Sequence, residues 1–264
     1  MLGGKDMVDD YEGFKKQIYS LTQIDLSAYK EQQMKRRIDS LINKHKIKTY
    51  KDYVAAIKAD KNLFEEFVNY LTINVSEFYR NPEQWKVLEN DILPMLMAKS
   101  KRLKIWSAAC STGDEPYSLV MMLSRHMPLA NIKIIATDID KQVLAKAKEG
   151  LYNVKSLKTL PPDLMKKYVT KVNEYTYKVA DEVKKCVDFK QHNLLKDPYP
   201  TDCDLIVCRN VLIYFTEEAK AEIYKKFNTS LKKEGILFVG STEQIIQAQT
   251  LGYSTAKSFF YKKM

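Results

Sequence analysis

The octapeptide Ala109-Cys110-Ser111-Thr112-Gly113-Asp114-Glu115-Pro116 follows an apolar run at 103–108 and leads into a helical pattern at 115–126. A tight loop at the carboxyl end of a buried parallel strand is where open α/β sheets receive nucleotides. One glycine, Gly113, stands where a dinucleotide fingerprint needs three, and there is no Walker lysine, so a pyrophosphate ligand is disfavoured. Asp114 and Glu115 suit the dipole of a helix start but would repel phosphate, so the loop fits a cationic or zwitterionic ligand. A second apolar run, 132–137, ends in Asp138-Ile139-Asp140. An acid there accepts hydrogen bonds from both ribose hydroxyls of a nucleoside, and Asp138 is read in that role. Asp140 is read as the cap of the next helix, 141–149. Ribose recognition without phosphate recognition points to S-adenosylmethionine.

The remaining chemistry-bearing residues are less concentrated. His45, His126 and His192 are scattered and read as structural or exposed. Cys110, Cys186, Cys203 and Cys208 form no C-x-x-C pair, which excludes a zinc-finger array and a disulfide scaffold and favours a reducing compartment. No metal site is expected. The sequence Asp197-Pro198-Tyr199-Pro200 superficially resembles the D-P-P-Y box of amino methylases, but one proline follows the aromatic, which makes it a loop.

Two kinds of element must position these residues. The first eighty residues carry helical periodicity: Phe14, Ile18 and Leu21; Met34, Ile38, Leu41 and Ile42; Tyr53, Ala56 and Ile57; Phe64, Phe67, Val68 and Leu71. Ser27 is the expected N-cap of the second helix. Pro82 starts another helix, carrying Trp85, Leu88, Ile92 and Leu96. From Arg102 onward, short apolar runs alternate with amphipathic segments, the α/β signature. Strands are expected at 103–108, 132–137, 205–208 and 236–239, helices at 115–126, 141–149 and 217–231, and one or two more strands within 253–261. The stretch between Gly150 and His192, with Pro161-Pro162 and a strand-like 187–191, reads as a small insertion on the sheet.

The chain of 264 residues is 45% hydrophobic and 29% charged, with 8 Gly and 8 Pro, which excludes disordered and low-complexity classes. Its N-terminus lacks a basic region leading into an apolar stretch, and its longest apolar run, 92–98, is far below the roughly 18 residues of a membrane span. A cytoplasmic protein is expected. The net charge of +10 calls for an acidic partner: nucleic acid, an anionic surface or a carboxylate-rich protein. Residues 27–51 hold eight Lys/Arg against two acids, and residues 146–190 hold eleven Lys against six acids. Lys30, Arg37 and Lys44 recur about two turns apart, on a face away from the apolar stripe.

In five ordered segments the chain resembles the chemotaxis receptor methyltransferases (CheR): Asn74-Val75-Ser76-Glu77-Phe78-Tyr79-Arg80, residues 109–118, Ala136 through Asp140, Asn193-Leu194-Leu195, and Cys208-Arg209-Asn210-Val211-Leu212-Ile213-Tyr214-Phe215. The resemblance covers nearly the whole chain. It implies an all-α N-terminal domain, 1–80, and a Rossmann-like α/β methyltransferase domain, 81–264, with a linker helix at 81–101 and a small antiparallel β-subdomain at about 150–192. The implied reaction moves a methyl group from S-adenosylmethionine to receptor glutamates, leaving S-adenosylhomocysteine. The family's cofactor contacts fall on Asn74, Ser76, Arg80, Glu115, Asp138, Asn193, Leu194, Arg209 and Asn210. Asn193 would pair with the adenine edge, Leu194 would pack on the ring, and Glu115 would answer a cationic part of the methionine end. Ser76 stands where the family often has Thr, and both supply a hydroxyl.

Arg80 and Tyr214 resemble family residues beside the transferred methyl and would orient the substrate carboxylate, while Lys35, Arg36 and Arg37 would dock acidic methylation helices of methyl-accepting chemotaxis receptors. A monomer recruited to membrane receptor clusters, without insertion into the bilayer or nucleic-acid binding, is expected. The short insertion has no obvious Gly-rich basic loop, which argues against gripping a receptor's C-terminal pentapeptide. The alternatives are a nucleic-acid methyltransferase and a non-catalytic S-adenosylmethionine-binding adaptor.

Overall fold

The computed structural model describes residues Asp10–Met264; most of the N-terminal segment that lacks a basic region leading into an apolar stretch lies outside them. The chain divides into two compact units, one running through Asn74 and including Tyr214–Lys220, the other comprising Val75–Ile213 and Ala221–Met264.

The first unit is built on four helices: α1 (Tyr11–Thr22), α2 (Glu31–Lys44), α3 (Tyr50–Ala59) and α4 (Lys61–Thr72). Asp10, Thr49 and Asp60 cap α1, α3 and α4 by accepting from backbone N–H groups of the first turn. The apolar stripes meet in a core where Phe67 contacts Phe14 and Tyr53 edge-on. Ser27 does not cap α2. Asp25 captures the Ser27 N–H at 2.9 Å and starts a separate 3-10 turn, Leu26–Ala28. Tyr29 then forms a bridge to Phe215, with the rings stacked at 4.6 Å, and the Lys30 N–H donates to the Tyr214 carbonyl at 2.9 Å. Extended backbone at Tyr29 delays the helix to Glu31.

The second unit begins with α5 (Pro82–Val87) and α6 (Leu93–Met97). The helix expected here is continuous, widening at Leu88–Ile92 into a π-helical stretch in which the Leu93 N–H donates to the Leu88 carbonyl, next to Pro94, which has no N–H to donate. Strands β1 (Ile105–Ala108) and β2 (Ile134–Asp138) alternate with α7 (Asp114–Leu123) and α8 (Lys141–Glu149). Next come β3 (Leu151–Asn153), α9 (Pro162–Tyr168), β4 (Val169–Lys171), β5 (Thr176–Val179), α10 (Asp181–Lys184) and β6 (Val187–Gln191). The series ends with β7 (Cys203–Cys208), α11 (Glu217–Ser230), β8 (Leu231–Val239), β9 (Tyr253–Lys257) and β10 (Phe260–Lys263).

Seven strands form one sheet in the order β6-β2-β1-β7-β8-β10-β9; the first five are parallel, β10 runs antiparallel to β8, and β9 antiparallel to β10. This is the mixed, helix-covered α/β sheet expected of the methyltransferase domain. A separate three-stranded antiparallel sheet, β3-β5-β4, occupies only part of the insertion. Val187–Gln191 is instead the edge strand of the large sheet, paired in parallel with β2 from Ile134↔Val187 to Asp138↔Gln191. Its sequence alternates as a one-sided edge strand must, with Phe189 buried between exposed Asp188 and Lys190. The β1 and β7 strands are buried along their whole length, which explains their continuous apolar runs. All four cysteines are buried and none is in a disulfide, and no helix among the described residues is long and apolar enough to cross a membrane.

The turn from β1 into α7 hinges on Gly113, at φ +88°, where an added Cβ would lie 2.9 Å from the Ala147 Cβ, 3.1 Å from the Tyr152 hydroxyl and 3.2 Å from the Phe189 ring. Gly113→Ala combines left-handed strain with crowding on three sides and is expected to cost about 1–3 kcal/mol in urea denaturation. An unchanged midpoint would show that the turn relaxes freely.

Candidate functional site

The loop between β1 and α7 is folded tightly, with Ala109 at φ +61° and Ser111 at φ +48° preceding Gly113. Three bonds hold it, one within the loop and two to β2: Gly113 N–H to the Cys110 carbonyl at 3.0 Å, Cys110 N–H to the Thr137 carbonyl at 2.9 Å, and Ser111 N–H to Asp138 Oδ2 at 2.8 Å. The Tyr152 hydroxyl, from the small sheet, donates to the Thr112 carbonyl at 2.6 Å. The loop therefore wraps the acid at the end of β2. Asp138 also accepts from the Asp140 N–H at 3.0 Å, and burial lifts its pKa to about 6 against the pull of these backbone donors. Asp140 caps α8 through the Gln142 and Val143 N–H groups, as its position predicts. Asp114, at the start of α7, is buried too; desolvation raises its pKa, opposed by hydrogen bonds from Thr112 and Ser76.

A second cluster forms where β7 ends. The Arg209 side chain is only 2% exposed, and its Nη2 donates to the Arg80 carbonyl (2.7 Å), Asn81 Oδ1 (3.1 Å) and Gln84 Oε1 (2.9 Å). Its Nη1 lies 3.5 Å from Glu115 Oε2, and its guanidinium sits 4.7 Å from the Phe238 ring. Glu115 is further fixed by the Ser107 hydroxyl at 2.8 Å; burial raises its pKa, with Arg209 and Ser107 opposing. Much of the Glu115 charge is thus answered inside the protein. The structure brings Arg80, Glu115 and Arg209 into one connected group.

Asn210 takes φ +60°, and its N–H donates to Glu243 Oε2. Asn193 closes its own turn, its Oδ1 accepting from the Leu195 N–H at 2.9 Å, while Leu194 is buried and its carbonyl receives the Tyr199 hydroxyl at 2.7 Å. The Tyr199 ring packs with Trp106, His192 and Phe227, so the Asp197–Pro200 stretch is a packed loop. Asn74 closes the helical unit and donates to the Thr72 hydroxyl at 2.8 Å. The Arg80 guanidinium reaches the Val75 carbonyl at 3.2 Å in an exposed contact, and its own carbonyl is held by Trp85 Nε1 as well as by Arg209.

Tyr214 belongs to the segment counted with the helical unit, where its carbonyl accepts from the Lys30 N–H. On α2, Gln32, Lys35, Arg36, Asp39, Ser40 and Asn43 line an open surface depression. Arg37 is turned aside: its Nη2 donates to the Tyr70 carbonyl at 2.6 Å and its guanidinium stacks 4.6 Å from that ring. Lys44 pairs with Glu66 at 2.6 Å while remaining exposed, so of the regularly spaced basic residues Arg37 is the one drawn onto a neighbouring helix. The histidines have protein neighbours: His45 contacts Glu66, His126 contacts Glu89, and His192 lies edge-on against Trp106.

Three residues of these networks belong to no motif singled out above: Gln84 and Glu243 act on residues distant in sequence, and Ser107, a strand residue, reaches Glu115 across the β1–α7 turn. S-adenosylmethionine fits the rim that these groups build. Ser111 Oγ and Arg209 Nε are buried with no protein hydrogen-bond partner, and acids at the ends of β1 and β2 suit a ribose and a cation. Among the described residues no cluster of three His, Cys, Asp or Glu side chains is placed to hold a metal ion.

Residues 74–259 match the family described as CheR methyltransferase, SAM binding domain, and residues 9–72 match the CheR methyltransferase all-alpha domain. A "Chemotaxis protein methyltransferase" of Listeria innocua is 41% identical over 259 residues, covering 98% of each chain. Proteins of the same printed name are 34% identical in Borreliella burgdorferi, covering 93% of this chain and 91% of that one, and 33% identical in Escherichia coli, covering 86% and 81%. With both parts matched in order around one continuous α/β sheet, the chain belongs to the CheR family of S-adenosylmethionine-dependent chemotaxis methyltransferases.

Proposed function

We propose that the protein methylates glutamate side chains of chemotaxis receptors, giving glutamyl methyl esters and S-adenosylhomocysteine. The observation that carries the cofactor half is the enclosure of Asp138 by the 109–113 loop at the carboxyl end of β2. In this reading Asp138 accepts the ribose hydroxyls, and Asn193 and Leu194 take the adenine edge and face. Asn74, Ser76, Arg80, Glu115, Arg209 and Asn210 complete the contacts. When bound, S-adenosylmethionine supplies a methyl group on a positively charged sulfur that departs as a neutral thioether.

The protein then needs no general base, since a glutamate with ordinary pKa about 4.3 is already ionised at neutral pH. Its residues have to align that carboxylate and exclude water from it. Arg80 suits the alignment, because its backbone is pinned while its guanidinium reaches an exposed position, where it can pair with a carboxylate. Tyr214 is assigned a supporting phenolic hydrogen bond. The acidic partner expected from the net charge is read as the receptor methylation helix, docking on α2 through Lys35 and Arg36, with Arg37 held back by Tyr70. The N-terminal helical part, extending to about residue 80, thereby serves docking, and the enzyme works as a cytoplasmic monomer recruited to receptor clusters.

Incubation with labelled S-adenosylmethionine and receptor-containing membranes is expected to label a receptor band whose counts alkali releases as methanol. Stable label on nucleic acid would favour a nucleic-acid methyltransferase, and cofactor binding without any transfer would favour an adaptor. In the same assay, Arg80→Ala should lower the rate at saturating substrate by about a hundredfold; near-normal turnover removes Arg80 from the mechanism. Charge reversal at Lys35 and Arg36 together should raise the receptor KM about tenfold and leave cofactor affinity unchanged. Unaltered receptor kinetics would place docking elsewhere.

Asp138 gives a pH signature. Its folded-state pKa of about 6 lies above the unfolded value, so its contribution to stability is full below the unfolded pKa and lost as pH rises through about 6. Near neutrality the free protein holds a desolvated carboxylate that ribose hydroxyls would relieve. Cofactor affinity should therefore fall as pH drops below about 6, binding near that pH should release protons, and Asp138→Asn should flatten both dependences in calorimetry. A pH-independent wild-type affinity would remove Asp138 from the ribose site.

A further inference from the structure

Glu243 lies in the turn after β8, is 5% exposed, and belongs to none of the sequence segments that carry the family resemblance. Its carboxylate receives four backbone N–H groups. Oε2 accepts from Gly240 at 2.9 Å and Asn210 at 2.5 Å, and Oε1 accepts from Val211 at 2.8 Å and Leu212 at 2.7 Å. Three consecutive amides of the segment leaving β7 therefore end on one side chain, which is carried by the loop leaving the adjacent strand β8. Without that acceptor these donors would be orphaned, and Asn210 would have little to hold it at φ +60°.

The surroundings are shaped for the same contact. A Cβ on Gly240 would stand 2.5 Å from Glu243 Oε2 and 2.9 Å from the Asn210 backbone nitrogen, so only glycine lets the two loops approach this closely. The chemistry is specific to a carboxylate. Its two oxygens offer about four lone-pair sites to four donors, whereas a glutamine would turn an NH2 group toward two N–H groups.

From this geometry we infer that Glu243 is a positioning residue for methyl transfer: its carboxylate latches the segment at Asn210–Leu212 in the conformation that presents Asn210 to the cofactor. The inference rests on the proposed contact between Asn210 and S-adenosylmethionine. A bound cofactor can itself order a loosened segment, at the expense of binding energy. Loss of the latch therefore weakens affinity more than it slows turnover once the cofactor saturates.

The test uses the full-length protein and S-adenosylhomocysteine in calorimetry, with KM and kcat for S-adenosylmethionine measured alongside. Glu243→Gln is expected to raise Kd and KM about tenfold, on the scale of one charge-assisted hydrogen bond, and to leave kcat at saturation within about twofold. Amide hydrogen exchange at Asn210, Val211 and Leu212 should accelerate. Glu243→Asp keeps the charge but shortens the reach, so it should fall between wild type and Glu243→Gln, and it carries the test if Glu243→Gln does not fold. Asn210→Ala should also raise Kd. If Asn210→Ala weakens binding while both Glu243 variants bind as wild type, the latch has no positioning role. If Asn210→Ala binds as wild type, the cofactor contact fails and this inference falls with it.

Discussion

The sheet-bearing unit depends on where it puts the guanidinium of Arg209. A charge that is almost wholly removed from water is costly unless its donors are answered, and here the two terminal nitrogens meet the Arg80 carbonyl, Asn81, Gln84 and Glu115, leaving Nε without a protein partner. Phe238 and Trp85 cover its faces. The arrangement ties the end of β7 to the start of α5 and to α7, three segments far apart in sequence. Arginine suits this junction because its planar fork carries fixed donors in several directions, which a lysine cannot reproduce. Glu115 works as the counter-charge of that junction, so an acid at the start of α7 serves the fold as well as the cofactor rim.

Much of this was legible in the sequence because it follows from local rules. Gly113, Asp138 and Asp140 sit at strand ends where backbone geometry leaves few alternatives, and the continuous apolar runs of β1 and β7 could only be doubly covered strands. The departures share a cause: a distant partner overrules a local preference. Ser27 has the chemistry of a cap, yet Asp25 and the Tyr29–Phe215 bridge impose extended backbone after it. Val187–Gln191 looks like part of an insertion when read along the chain, but in space it completes the edge of the large sheet beside β2. The spacing of Lys30, Arg37 and Lys44 suggests a single face, whereas Tyr70 on α4 captures the Arg37 guanidinium. Glu243 had no readable signal, since three of its four donors lie more than thirty residues upstream.

Left-handed backbone recurs where chemistry is proposed. Ala109, Ser111 and Gly113 in one loop and Asn210 in another hold conformations that bulky residues avoid, and Ser111 and Asn210 are secured by acceptors from outside their own segments. Such loops are arranged before any ligand arrives, which lowers the entropy lost on binding. Asp138 adds an electrostatic counterpart, a carboxylate whose burial is offset only in part by the backbone donors around it.

The four buried thiols extend this picture from structure to motion. Burial raises the pKa of Cys110 and Cys208 well above the ordinary thiol value, and reaction with an alkylating reagent requires both exposure and ionisation. Each thiol therefore stays silent until the segment around it opens. Cys110 lies in the loop that encloses Asp138, while Cys203 and Cys208 lie at the two ends of β7. Their labelling rates act as separate clocks, one counting excursions of the loop and the others counting breaches of the central sheet.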